Sequence, residues 1–212
     1  QVTRELIDAC PSLKIIGKGG ESMDNIEVEY AKSKGIFVIN TPNAFAKSVA
    51  ELVFAHFLTL IRFLHDSNRN MPLEGDSKFA FLKKSYEKAT ELSGKTLGII
   101  GFGNIGKEVA KIGIGLGMKI IFYSRKPKTD TISLEFFDGR TIDFEFTSTN
   151  DMEAFLKEVD FISINTSETT EYIIDTPEFE MMKDGVFIVN TAKGGVINEV
   201  TLIDYIENKK VA

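Results

Sequence analysis

Hydrophobic and polar residues alternate along the chain in a pattern that predicts strands and helices in turn. Short apolar runs typical of buried strands lie at 36–39, 96–100, 118–123, 161–164 and 186–189. Stretches with helical periodicity lie between or after them, at 105–116, 152–158, 178–183 and 199–208. Because strands alternate with helices, we expect a parallel sheet with helices on both faces, a doubly wound α/β fold.

The first 40 residues repeat this alternation on a smaller scale. They predict a helix over 2–9, a strand over 13–17, a helix over 24–34 with Asp24 as its N-cap, and the strand over 36–39. The next residues, 40–43, have the composition of a turn.

The most apolar segment of the chain follows this turn. Ser48 and Glu51 form a capping-box pattern that starts a helix running to about Leu64. Twelve of the 16 residues from Val49 to Leu64 are apolar. A helix that is apolar nearly all round is buried on several faces, by its own domain or by a partner subunit.

Two later segments break the pattern. Residues 69–93 are polar and poorly periodic, which predicts a loop with some helix over 83–89. Residues 132–137 and 141–146 alternate around Asp138-Gly139, which predicts a hairpin with a two-residue turn.

A glycine-rich motif, G-x-G-x-x-G, spans Gly101 to Gly106 between a predicted strand and a predicted helix. In this context Gly101 permits the tight turn, Gly103 permits the approach of a pyrophosphate, and Gly106 permits close helix packing. The helix N-terminus would then face the phosphates. The alternative is a glycine-rich turn that binds nothing.

The same residues also begin a P-loop pattern, G-x-x-x-x-G-K, ending at Lys107. A P-loop requires Ser or Thr at the next position, where this chain has Glu108. We therefore reject a nucleoside-triphosphatase interpretation.

The end of the second strand after this motif bears on cofactor choice. Sites for NAD place an acid there to bind the ribose 2′-hydroxyl, but no acid occurs between Glu108 and Asp130. The strand ends instead in Ser124 and Arg125, followed by further cations, which suit a 2′-phosphate and favour NADP(H) over NAD(H). The alternative is an ordinary solvated basic turn.

Composition narrows the possible functions. The net charge of −6 over 212 residues argues against a nucleic-acid-binding face. One cysteine and two widely spaced histidines predict no disulfide framework and no metal site. No apolar run approaches the ~18 residues of a membrane span, so we expect a cytoplasmic protein. Because the chain starts at Gln1 and stops as an apolar run begins, we expect a fragment.

Several motifs occur in the order found in the D-2-hydroxyacid dehydrogenases. These are the strand and glycine loop at 97–106, Asn40-Thr41-Pro42, 48–52 and 190–197. Together with 19–20, 23–26 and 69–76, they make the chain resemble most the 3-phosphoglycerate dehydrogenase branch, which acts in serine biosynthesis.

The resemblance implies a Rossmann-type dinucleotide domain inserted in a split, flavodoxin-like substrate domain. Residues 1–42 would be a remnant of the substrate domain, and 43–212 a dinucleotide domain with an incomplete C-terminus. The 48–64 helix would lie in a homodimer interface. The chemistry implied is hydride transfer between a nicotinamide cofactor, NAD(P)(H), and C2 of a small 2-hydroxy or 2-oxo acid.

The resemblance also implies site residues. Lys193 occupies the position of the substrate-clamping arginine, and the general acid and its supporting glutamate would lie beyond Ala212. The predicted cofactor-binding residues are Gly101, Gly103, Asn104, Ile105, Gly106, Ser124, Arg125, Thr166, Thr191 and Ala192. The predicted substrate-binding residues are Lys18, Gly19, Gly20, Glu21 and Ser22.

Departures from the family pattern leave two alternatives open. Lysine at 193 supplies a point charge where arginine supplies a bidentate fork, and Glu21 places a negative charge in the substrate loop. Lys193 and Glu21 favour a catalytically weak scaffold that binds dinucleotide. The resemblance also leaves open a hydroxypyruvate or glyoxylate reductase, since similar enzymes that prefer NADPH often end the second strand with a pair such as Ser124-Arg125.

Overall fold

The computed structural model describes residues 1–20, 22–166 and 171–212. The chain divides into two compact units, Gln1–Lys47 and Ser48–Ala212.

The first unit contains two helices and a two-stranded sheet. The elements are α1 (Arg4–Asp8), β1 (Ile15–Lys18), α2 (Val28–Ser33) and β2 (Phe37–Asn40). The two strands pair in parallel, and the small core consists of Ile7, Ile16, Ile26, Ala31 and Ile36. The predicted βα alternation of this region is therefore present.

The second helix starts later than predicted, at Val28, so Asp24 is not its N-cap. The reason is an isolated parallel bridge between Ile26 and Val2. Val2 N–H donates to Asn25 O, and Glu27 N–H donates to Val2 O. These bonds hold 25–27 outside the helix.

The apolar helix α3 (Ala46–Ile61) begins before the predicted capping box, so Ser48 lies inside its first turn and the box does not form. Its buried face consists of Ala50, Val53, Phe54, Phe57 and Ile61. Leu52 and Leu60 remain 50% and 43% exposed on the opposite side. Within this chain α3 is thus buried on one face rather than several.

The largest departure from prediction is α4 (Leu64–Tyr86), a helix where a loop was expected. Its one buried residue is Leu82, and Lys78 interrupts its helical backbone. Because α4 has no apolar stripe, helical periodicity could not reveal it. Polar contacts within α4 support it instead, such as the Lys78–Glu74 ion pair and the bond from Tyr86 Oη to Asp66, 20 residues earlier.

The second unit is built around a four-stranded parallel sheet in the order β4-β3-β7-β8. Its elements are β3 (Thr96–Ile100), α5 (Asn104–Gly115), β4 (Lys119–Tyr123), α6 (Met152–Glu158), β7 (Phe161–Ile164), α7 (Thr176–Met181), β8 (Phe187–Asn190) and α8 (Glu199–Glu207), with a hairpin, β5 (Thr129–Glu135) and β6 (Thr141–Thr147), inserted after β4. This confirms the predicted Rossmann-type fold.

Side chains from the two faces of the sheet form separate cores. Leu97 and Ile99 of β3 join one core, with α3 and α5. Ile162 and Ile164 of β7 join the other, with α6 and α7. Burial on both faces explains why these strands read as continuous apolar runs.

The hairpin is present, but its turn is longer than the two residues predicted. Glu135 pairs with Thr141, and Phe136 N–H donates to Arg140 O, so the strands remain joined before the turn closes. Gly139 has a φ of +81°, which favours glycine there. Asp138-Gly139 therefore lies in the turn as predicted, but the turn is wider than these two residues.

Among the described residues, no single helix is long and apolar enough to cross a membrane. Helices α3 and α4 meet that requirement only together, by length and composition, as a pair bent by 51°.

Gly98 tests the packing of the central strand. A Cβ there would lie 2.4 Å from Val159 Cγ1 and 2.6 Å from Phe155 Cζ. We expect Gly98→Ala to reduce the free energy of unfolding by about 1–3 kcal/mol through overpacking. Gly115→Ala is the control, because its Cβ meets no atom within 4 Å and lies at a helix end. Denaturant unfolding should show no loss for Gly115→Ala; an equal loss in both variants would contradict this account.

Candidate functional site

The glycine-rich loop joins β3 to α5 at the carboxyl edge of the parallel sheet. Helix α5 begins at Asn104, with Gly103 at its N-cap position and no side chain capping it. The first amides of a helix lack partners within it and carry the positive end of the helix dipole. Asn104, Ile105 and Gly106 therefore lie where an anion is stabilised by backbone groups.

Two of the three glycines are required by close backbone packing. Gly101 has a φ of +95°, and a Cβ there would lie 2.7 Å from the backbone of Asn165 and Thr166. A Cβ on Gly106 would lie 2.2 Å from Gly101 O. The backbone of the turn therefore packs closely against both the end of β7 and the first turn of α5.

Gly103 is different, because a Cβ built there meets no heavy atom of the described residues within 4 Å. The turn's middle glycine thus faces open space at the helix N-terminus. Its small size is unexplained by packing within the protein and suits the close approach of a ligand.

Thr166 follows β7 next to this turn. Its Oγ1 atom is buried and finds no hydrogen-bond partner among the described residues. Neighbouring polar groups are connected: Thr191 Oγ1 donates to Asn165 Oδ1 at 3.1 Å, and Asn165 Nδ2 donates to Ser163 Oγ at 3.0 Å. A buried hydroxyl left without a partner calls for an explanation, and a polar ligand group would supply one.

Ser124 and Arg125 follow β4, the strand that neighbours β3. The Ser124 N–H donates to Thr149 O at 3.0 Å, which fixes the start of this turn. Ser124 is half-buried, and Arg125 is exposed. The structure therefore places the basic turn at the same edge of the sheet as the glycine loop.

Asp130 comes nearer to the glycine loop than its sequence position suggested. Its Oδ1 lies 2.6 Å from Lys107 Nζ, in the first turn of α5. Burial acts to raise the pKa of Asp130, but the hydrogen bond from Lys107 and the charges of Lys107 and Lys128 outweigh it, so the pKa lies below its usual value. Sequence reasoning missed this pair because 23 residues separate its members.

Thr191, Ala192 and Lys193 follow β8 at the other side of the sheet. Thr191 and Ala192 are half-buried, and Ala192 N–H donates to Asn190 Oδ1 at 3.0 Å. Lys193 is exposed in the same loop. All predicted cofactor-binding residues thus lie at the carboxyl ends of the sheet's strands, where open α/β sheets bind ligands.

The predicted substrate loop belongs to the first unit. Lys18 Nζ donates to Asn25 Oδ1 at 2.7 Å, and Gly20 N–H donates to Thr41 Oγ1 at 2.9 Å. Gly19 and Ser22 are exposed. Glu21 lies outside the described residues.

Family comparison agrees with this arrangement. A sequence model described as "D-isomer specific 2-hydroxyacid dehydrogenase, NAD binding domain" matches residues 54–212. The chain belongs to the D-isomer specific 2-hydroxyacid dehydrogenase family. Its second unit is an NAD-binding domain of that family.

Three relatives of the chain have different names. The chain is 44% identical to a hydroxypyruvate reductase of Thermotoga maritima, over 100% of the chain and 63% of the relative. It is 35% identical to a glyoxylate reductase of Thermococcus litoralis, over 100% and 62%. It is 34% identical to a D-3-phosphoglycerate dehydrogenase of Methanocaldococcus jannaschii, over 100% and 38%. The chain thus spans less than two thirds of these relatives.

Solved structures show the same fold. D-mandelate dehydrogenase from Rhodotorula graminis superposes with a TM-score of 0.81 at 24% identity, covering 99% of this chain and 60% of that one. D-lactate dehydrogenase from Aquifex aeolicus, solved with NAD and lactic acid, superposes with a TM-score of 0.69 at 32% identity, covering 99% and 59%.

The residues present fit a dinucleotide. Gly103 leaves open space at a helix N-terminus, and Thr166 offers a buried hydroxyl without a partner among the described residues. Within that same part of the chain, no group of three or more His, Cys, Asp or Glu could hold a metal ion.

Gly103 provides a direct test of the loop. We expect Gly103→Ala to fold normally, since the added methyl meets no atom in the described part of the chain. It should bind NADH at least about 10-fold more weakly, since the methyl occupies the space left for phosphate. Fluorescence titration measures the affinity. Gly115→Ala, at the far end of α5, is the matched control and should bind normally. Equal affinity of the Gly103→Ala and native proteins would show that the phosphates bind elsewhere.

Proposed function

We propose that this chain contributes the nicotinamide-binding part of a dehydrogenase that reduces a small 2-oxo acid to its D-2-hydroxy acid, with hydroxypyruvate or glyoxylate as substrate. The observation that carries the proposal is the glycine-rich turn. Among the described residues nothing fills the space at Gly103, and the buried Thr166 hydroxyl has no hydrogen-bond partner. Family membership supplies the reaction class.

The roles of this chain's own residues follow from their positions. A bound nicotinamide cofactor would supply the hydride exchanged with C2 of the substrate. The amides at the N-terminus of α5 bind and orient the pyrophosphate. The Thr166 hydroxyl donates to a polar group of the cofactor, and Lys193 holds the substrate carboxylate by charge.

The choice of substrate rests on the relatives. The relatives named hydroxypyruvate reductase and glyoxylate reductase, at 44% and 35% identity, support a 2-oxo acid of three or two carbons that carries no phosphate group. A second candidate, 3-phosphoglycerate, is supported by Lys18, a cation held by Asn25 beside Gly19 and Gly20. A third possibility from the sequence, a dinucleotide-binding scaffold, predicts binding without turnover.

A homodimer is the proposed assembly. Leu52, His56 and Leu60 lie at i, i+4 and i+8 of α3 and are exposed on the side opposite the core. This stripe of two leucines and a histidine agrees with a subunit contact along the 48–64 helix, because a second copy would bury the two leucines.

The reaction is tested by assaying the purified full-length protein, since this chain spans less than two thirds of its relatives. Loss of NAD(P)H absorbance should accompany addition of hydroxypyruvate or glyoxylate.

Lys193→Arg should raise kcat/KM about 10- to 100-fold, because a bidentate fork replaces a point charge on the carboxylate. Lys157→Arg, an exposed control on α6, should change nothing. Tight cofactor binding without turnover on any 2-oxo acid would favour the scaffold, and oxidation of 3-phosphoglycerate alone would favour the second candidate.

Cofactor choice is a separate proposal: we infer a preference for NADP(H). It is supported by the basic turn after β4, in which Ser124 is neutral and Arg125 is exposed and able to bind a 2′-phosphate. An Arg–phosphate pair at a partly exposed site should favour NADPH by about 5- to 30-fold.

Titration of both cofactors against native protein and Ser124→Asp measures this preference. The native protein should bind NADPH more tightly, and the new carboxylate should repel the 2′-phosphate and reverse the order. Native protein that binds NADH more tightly than NADPH would show that this turn does not select the cofactor.

A further inference from the structure

A charge cluster adjoins the glycine loop without belonging to the predicted site. At its centre is Asp130, in β5. One carboxylate oxygen lies 2.6 Å from Lys107 Nζ, and the other lies 3.8 Å from Lys128 Nζ. The side chains of Asp130, Lys107 and Lys128 are 23%, 35% and 41% exposed, so the cluster is partly shielded from water. Charges in such surroundings interact more strongly than on an open surface.

Lys128 attaches this cluster to the glycine loop. Its Nζ donates to Phe102 O, the carbonyl of the second residue of the motif, at 3.3 Å. It also lies 5.7 and 5.6 Å from the ring centroids of Phe102 and Phe122, which stack on each other at 3.9 Å. Phe122 belongs to β4, so Lys128 spans from the loop to the neighbouring strand.

In Rossmann-type folds, residues at this location distinguish the ribose of NAD from the 2′-phosphorylated ribose of NADP. In such folds the adenosine ribose lies between the glycine loop and the end of the next strand, here β4. Within 124–130, Asp130 is the one carboxylate, against the cations Arg125, Lys126 and Lys128. It also pairs with Lys107 from α5. The charge available to a 2′-phosphate therefore depends on Asp130.

We propose that Asp130 is a specificity-determining residue for the cofactor: by pairing with Lys107 and Lys128 beside the glycine loop, it limits the affinity for the 2′-phosphate of NADP(H). This inference rests on the proposed dinucleotide function. In the proposed site Ser124 and Arg125 would contact the ribose end directly, whereas Asp130 would act through the two lysines. The degree of preference for NADPH is thus set by a counter-ion contributed by the inserted hairpin.

The test is the ratio of the NADPH and NADH affinities in Asp130→Asn. Asparagine keeps an oxygen that can accept from Lys107 and from the Thr131 N–H, which is 3.0 Å away in the native protein. The ratio should shift toward NADPH by roughly 5-fold at low salt and by less at high salt, because two cations lose their counter-ion. Asp143→Asn is the control, an exposed acid about 10 Å further along the same hairpin, and should leave the ratio unchanged.

A second variant protects the test from a folding defect. Lys107→Gln should shift the ratio the opposite way, because it removes a cation and leaves the Asp130 carboxylate less neutralised. Thermal unfolding checks each variant. An unchanged ratio in Asp130→Asn, or an equal shift in Asp143→Asn, would overturn this inference alone. Failure of native protein to bind either cofactor would overturn the proposed function and the inference with it.

Discussion

The close approach of backbone to backbone at the β3–α5 turn is the constraint on which the candidate site depends. At Gly101 the turn touches the end of β7, and at Gly106 the first turn of α5 touches Gly101 O. Neither contact leaves room for a Cβ. Because the helix is drawn in this closely, its N-terminal amides are held at the carboxyl edge of the sheet, which is where a phosphate can use them.

Charged groups of both signs lie around this edge of the sheet. The helix N-terminus and the basic residues after β4 attract anions, whereas Asp130 offsets two of the nearby lysines. A net charge of −6 for the whole chain conceals this local excess of cations. We therefore expect the choice of cofactor to depend on a few partly shielded ion pairs and to depend little on the net charge of the whole chain.

Periodicity predicted the central strands and helices of the second unit well, because β3 and β7 are buried throughout and α5 and α6 each bury apolar residues. Strand β3, helix α6 and strand β7 have the predicted bounds. Periodicity failed for α4, whose 23 residues are mostly polar and are held by polar contacts along the helix. It also misplaced the start of α2, because the Ile26–Val2 bridge joins residues 24 positions apart. Non-local pairing of this kind leaves no periodic trace in a sequence.

The candidate site was predictable where a motif defines it, as with Gly101, Gly103 and Gly106. It was not predictable where folding brings distant residues together: Lys107 meets Asp130 only because the hairpin folds back on α5. The buried Thr166 hydroxyl, which has no hydrogen-bond partner in the part of the chain that the structure describes, is likewise visible only in three dimensions.

The central claim, that the β3–α5 turn binds a dinucleotide, is tested most directly by hydrogen–deuterium exchange with and without saturating NADPH or NADH. Bound cofactor should slow exchange of the amides from Gly101 to Lys107 and around Thr166, and should leave the amides of α1 and α2 unchanged. Saturating binding that leaves the exchange of 101–107 unaltered would contradict the account.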